Sequence, residues 1–210
     1  MTIIKKTKIL LRNPSIVITK VVGYIRHMKH PAIDASAIIE KPLKFTSRFI
    51  TLGKNVFIYN NARIEAVTQY AGINYNPKIT IAEGTSIQQN CHITCADSVC
   101  IGSNCAITHN VTITDIDHTY EYSPDNYSPP INNPLIVNKV CIGNKCMIFA
   151  NSIILGNTSI GNNCVIAANS VVRGTFPDNC VIAGSPAKIV KRYNSTTKKW
   201  EKTKPDGSFI

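Results

Sequence analysis

The chain has 210 residues, 44% hydrophobic and 17% charged, with a formal net charge of +11. That balance describes one soluble globular domain with ample chain for a core, and excludes a disordered polar protein. No run of about eighteen apolar residues occurs, so no membrane-spanning helix is expected.

The charge is unevenly placed. Residues 1–30 carry seven Lys/Arg and no acid, and residues 188–210 carry seven against Glu201 and Asp206. The body between them is nearly neutral and has no basic stripe interleaved with aromatics, so no nucleic-acid partner is expected. Scattered lysines also break the apolar core that a secretory signal needs.

Residues 1–31 form the first unit. "NPSIVITKVVGYIRHMK" predicts a helix, with Asn13 as N-cap, Pro14 in the first turn, and Val17, Val21, Tyr24, Ile25 and Met28 on one face. Two roles fit: a cap over the open end of the following domain, or a basic amphipathic segment resting on an anionic inner membrane. His27 and His30 read as solvent-facing.

From residue 32 to 192 the chain keeps a period of six. Branched aliphatics recur at Leu52, Ile58, Ile64; Ile81, Ile87, Ile93; Ile101, Ile107, Ile113; and Ile142, Ile148, Ile154, Ile160, Ile166, Val172. Four residues after most of them stands a small side chain, as at Val56, Ala62, Thr68, Thr85, Cys91, Cys105, Cys146, Ser152, Cys164 and Ser170. Period six fits neither a helix nor a long strand. It fits an all-β coil of three short strands per turn, each coil stacked on the last at roughly 4.8 Å. The small position accounts for Cys91, Cys105, Cys146 and Cys164 as buried free thiols suited to a reducing cytosol, rather than disulfides or a zinc site.

Three faces follow in chain order. Face a takes Ile33, Leu52, Ile81, Ile101, Ile142, Ile160 and Ile182. Face b takes Ile39, Ile58, Ile87, Ile107, Ile148 and Ile166; face c takes Phe45, Ile64, Ile93, Ile113, Ile154 and Val172. Every departure from six then falls between c and a: after Phe45, Ile64, Ile93, Ile113 and Val172. The insertions line one edge, and the longest, 114–141, has His118 at its base. Loops on a rigid scaffold are where function concentrates. His92 and His109 sit outward on regular coils and read as surface or interface residues. No HxxxxH occurs, so no histidine metal site, and no metal at all, is expected. Residues 193–210 close the chain as a polar, basic, extended tail in which Trp200 and Phe209 look for something to pack on, a neighbouring subunit included.

The repeat [LIV]-G-x-x-[small]-x resembles that of the left-handed parallel β-helix hexapeptide acyltransferases over about residues 33–192. "VIAANSVVRGTFPDNCVIAGSPAKIVKRY" and "VTITDIDH" resemble the maltose, galactoside and lipopolysaccharide or capsule O-acetyltransferase branch. The left hand comes from that resemblance, since parallel crossovers are ordinarily right-handed.

The resemblance implies an acetyl-CoA-dependent O-acetyltransferase acting on a sugar or polysaccharide hydroxyl in surface polysaccharide biosynthesis. It also implies a homotrimer, in the cytoplasm or peripheral at the inner membrane. The alternatives are an N-acetyltransferase on an amino sugar, a serine acetyltransferase, or a non-catalytic β-helical scaffold. His118 matches the family's catalytic histidine. The chemistry agrees, because removing a hydroxyl proton near neutral pH suits an imidazole, which titrates in water near about 6.5. Asp115 or Asp117 would orient the ring, and sequence spacing does not choose between them. By resemblance, Ala150 supplies an oxyanion N–H and Asn90 binds the acceptor. Ala168 and Arg173 lie along the coenzyme arm, and Lys188 and Lys191 hold its phosphates. The corner loops 69–79 and 119–134 offer Tyr70, Tyr75, Tyr120, Tyr122 and Tyr127 as sugar-stacking rings.

Overall fold

The structure, a computed structural model, describes residues 14–120 and 127–210. Tyr122 and Asn13 therefore lie outside the described residues. Nearly all of the body is short parallel strands, each paired with its counterpart one coil away. Face a stacks as Ile33, Leu52, Ile81, Ile101, Ile142 and Ile160. Face b stacks as Ile39, Ile58, Ile87, Ile107, Ile148 and Ile166. Face c runs from Phe45 through Ile64, Ile93, Ile113 and Ile154 to Val172. Faces a and c are one curled ten-stranded sheet, because the strand Ile153–Ile160 rounds their shared corner.

The repeated aliphatics fill the interior, and so do their small partners. Val56, Ala62, Thr85, Cys91, Cys105, Cys146, Ser152, Cys164 and Ser170 are all buried. Thr68 is the exception: it falls inside an insertion and is exposed. Six cysteines are buried, whereas Cys100 is half-buried and Cys141 exposed, facing outward as partners on face a. The four cysteines expected at the small inward position are all buried, and this outward pair lies outside that pattern. The turns explain the many asparagines: Asn55, Asn61, Asn90, Asn104, Asn110, Asn151, Asn163 and Asn169 all hold φ between 55° and 60°, a region that short polar side chains tolerate. Gly102 and Gly143 are needed for another reason. A Cβ on either would stand 2.6 Å from the backbone of the next coil.

The last coil departs from the expected register. Ile160 pairs with Phe176, not with Ile182, and Ile182 stacks on Ile166 of face b. The chain rounds that corner within Val171–Phe176, where Gly174 takes φ +116°. Only four of the five expected insertions therefore exist; the fifth is a shortened corner. The tail does not trail away. Cys180–Gly184 turns into the antiparallel strand Ala187–Asn194, followed by Lys199–Lys202. Trp200 packs its ring on Tyr193, and Phe209 lies beside Arg192 of the same chain.

Helix α1 (Pro14–Lys29) rests on the first coil through its polar side. A Cβ on Gly23 would collide with the Ala35 carbonyl oxygen. Arg26 donates to the Ala37 carbonyl, and His27 Nδ1 lies 2.8 Å from the Ile33 carbonyl. His30 Nε2 lies 3.2 Å from Ser47 Oγ, so both histidines are half-buried and bonded rather than simply solvent-facing. The expected apolar face is the one left outside. Ile18, Val21, Val22, Tyr24, Ile25 and Met28 are all exposed.

Candidate active site

At Thr114 the chain leaves face c. Ile116–His118 pairs antiparallel with Leu135–Val137, His118 opposite Leu135, and this hairpin carries the long insertion off the c–a corner. Asp115 is its anchor. The carboxylate is 1% exposed and accepts the backbone N–H groups of Ala96 (2.8 Å), Asp97 (2.8 Å) and Ser98 (2.7 Å) from the corner one coil below. Asp117 faces the other way. Its Oδ2 lies 3.1 Å from Arg173 Nη2, and its Oδ1 accepts the His118 backbone N–H at 2.9 Å. The Arg173 hydrogen bond holds the Asp117 carboxyl below the usual carboxylate range; burial opposes this, and the His118 N–H adds to it.

Among the described residues neither carboxylate bonds the His118 imidazole, so the expected choice between Asp115 and Asp117 becomes a different division of labour. Asp115 fixes the hairpin to the coil, and Asp117 ties it to Arg173. The ring itself meets Tyr70 edge-on, with centroids 5.6 Å apart. Tyr70 stands on a second small hairpin, Gln69–Tyr70 with Ile73–Asn74. The two insertions are joined where the Leu135 N–H donates to the Tyr75 hydroxyl at 2.8 Å. Tyr75 is thus a brace between loops, while Tyr120 and Tyr127 are exposed.

His118, Tyr70 and Leu135 open onto a cavity of about 470 Å³ that continues along face c past Thr114 and Thr94 to His92, Glu65 and Arg63. The sequence reading missed those last three. Their signal is that they occupy outward positions of face c in the coils below the insertion. Burial, and then the Arg63 charge, lower the His92 pKa, and its Nε2 is buried with no partner among the described residues.

The remaining expected residues lie elsewhere on this chain. Asn90 holds an exposed left-handed turn position in register with Asn110, Asn151 and Asn169, on the b–c corner. Ala150 and Ala168 immediately precede two of those asparagines, and the Ala150 carbonyl accepts the Asn169 N–H at 3.0 Å. None of the three lines the His118 cavity. Lys188 and Lys191 are exposed on the antiparallel strand beyond face b, with no ion-pair partner among the described residues. No group of three or more His, Cys, Asp or Glu suited to a metal occurs among the described residues.

Residues 142–174 match the family described as bacterial transferase hexapeptide (six repeats). The chain carries the transferase hexapeptide repeat. Over 96 residues it is 41% identical to an Escherichia coli K12 protein, WbbJ, described as a lipopolysaccharide biosynthesis O-acetyl transferase. That stretch is 44% of this chain and spans about half the length (49%) of the relative. The fold is shared with AntD, an N-acyltransferase from Bacillus cereus solved with dTDP and 3-hydroxybutyryl-CoA. There the TM-score is 0.58 at 19% identity, over 79% of this chain and 81% of that one. A hexapeptide transferase family protein from Anaplasma phagocytophilum has a TM-score of 0.52 at 21% identity, over 78% and 80%. The hexapeptide repeat thus accounts for the coil, and its interruption accounts for the cavity.

Proposed function

We propose that this chain transfers an acetyl group from acetyl-CoA to a sugar hydroxyl during surface polysaccharide assembly, with His118 as general base. The observation that carries the reading is the exposed imidazole held at the mouth of a polar cavity, in a chain related to a lipopolysaccharide O-acetyl transferase. In the reaction, the imidazole takes the hydroxyl proton as the oxygen attacks the thioester carbonyl. The proton then passes to the departing thiolate, and no net charge is left behind. Incubation with labelled acetyl-CoA and a panel of sugars, amino sugars and serine tests this. Label on a sugar oxygen is expected; label on nitrogen or on serine would move the assignment to those acceptors.

The coil is read as left-handed and the assembly as a homotrimer. The trimer explains why Ala150 and Ala168 lie on a different edge from His118: they meet it only across an interface, with an Ala150 N–H facing the thioester oxygen. The end of the chain suits the coenzyme's phosphates, since Lys188 and Lys191 are exposed cations with no ion-pair partner among the described residues. Lys188→Ala with Lys191→Ala is expected to raise the KM for acetyl-CoA about tenfold, and the KM for the acceptor little, with a smaller penalty in high salt. An equal penalty with dephospho-coenzyme A would release these lysines from the 3′-phosphate.

The reading places the enzyme in the cytoplasm, where its eight unpaired cysteines suit a reducing compartment, and against the inner membrane. The apolar side chains of helix α1 face outward beside Lys20 and Lys29, in a segment with seven basic residues and no acid. That combination fits an anionic bilayer surface. Ile25→Asp is expected to cut binding to phosphatidylglycerol vesicles about tenfold, with phosphatidylcholine vesicles bound weakly throughout. A change in sedimenting mass instead would mean that a second copy covers this face.

A further inference from the structure

The cavity is longer than one hydroxyl needs. Two columns of outward side chains on consecutive coils run along it: Arg63, His92 and Thr112 pair in one, and Glu65, Thr94 and Thr114 in the other, all but Thr112 lining the cavity. From Thr114 to Glu65 is two coils, or roughly 10 Å at strand spacing, more than a single sugar ring spans. All six residues are polar. On the far side of the insertion the first column continues as Ile153 and Val171, both apolar. The polarity of this column therefore ends at the insertion, and is not a general property of face c.

The chemistry at the far end is specific. Glu65 is held by Lys44 and by Arg63, whose Nε donates to Oε2 at 2.7 Å, and its side chain is only 13% exposed. Burial pushes the Glu65 carboxyl up, but the hydrogen bonds from Lys44 and Arg63 more than offset this and keep it charged. Lys44 and Arg63 stay half exposed, leaving donors free beside a fixed acceptor. Nearer His118, Thr94 donates to Thr114 at 2.9 Å and extends the row of hydroxyls. A planar carboxylate–guanidinium pair matches vicinal hydroxyls, each of which donates and accepts.

Resting on the acetyltransferase reading, we infer that Arg63, Glu65 and His92 form a second sugar subsite, so that the acceptor is a saccharide of at least two residues with its reacting hydroxyl at His118. The test is a ladder of mono-, di- and trisaccharides sharing the same reacting sugar. In the wild type, kcat/KM is expected to rise about tenfold from one residue to two, then level off. In Glu65→Gln and in Arg63→Ala that ratio falls toward one. Thr94→Val serves as a third variant should either charge change disturb folding in thermal melts. A flat ladder in the wild type, or variants that keep the tenfold ratio, would overturn the subsite. Should the wild type acetylate no saccharide, the acetyltransferase reading fails on its own. Calorimetric titration with the same ladder then still decides the subsite: disaccharides bind about tenfold tighter than monosaccharides only while Glu65 and Arg63 are present, and equal binding overturns it.

Discussion

His118→Ala is expected to lower kcat for acetyl transfer by about 10²–10⁴, the usual loss when a positioned general base is removed. Folding should hardly change. The ring is exposed on a hairpin outside the packed core, and its one ring contact among the described residues is the edge of Tyr70, so stability should stay within about 0.5 kcal/mol. The measurement is a steady-state rate at saturating acetyl-CoA beside a thermal melt. Near-wild-type turnover would remove His118 from the mechanism. A large fall in melting temperature would show instead that the imidazole supports the loops.

Much of the fold was legible because a narrow three-sided interior takes a large aliphatic every six residues, although face a strands such as Ile50–Leu52 and Lys78–Ile81 bury a second one. The last coil escaped the pattern for the same reason in reverse. Phe176 fills the face a position where an aliphatic was sought, and the corner before it lacks the extra residues found at the others. The break at His118 was equally visible, since a loop at a constant corner must interrupt the period. Hidden from the sequence were relations across coils. Arg63 and His92 are neighbours only once the insertion after Ile64 has been folded away. The inverted helix was hidden too. Its apolar stripe was plain, but Gly23 and Arg26 bring the opposite side against the first coil.

Asp115 shows most clearly how one spacing admits two roles, because a position three residues from His118 is also where the loop must be tied down. Three backbone N–H groups converge on one buried carboxylate. Asp115→Ala would strip the acceptor from one buried and two part-buried donors, each a penalty once the charged acceptor is gone. The expected loss is about 3–5 kcal/mol, roughly 6–20 °C in melting temperature for a chain of this size. Asp115→Asn should recover part of it, since the amide keeps one acceptor oxygen but turns an NH₂ toward the remaining donors. Asp117→Ala, breaking a half-exposed ion pair with Arg173, should cost under about 1 kcal/mol. Hydrogen exchange at the Ala96, Asp97 and Ser98 amides separates the two effects. In Asp115→Ala these should exchange far faster than in the wild type, and the hairpin should lose its hold on His118, so that activity falls with stability. If Asp115→Ala melts like the wild type and those amides remain protected, then Asp115 is not the anchor. The carboxylate would then be free for the role beside the imidazole that the sequence first suggested.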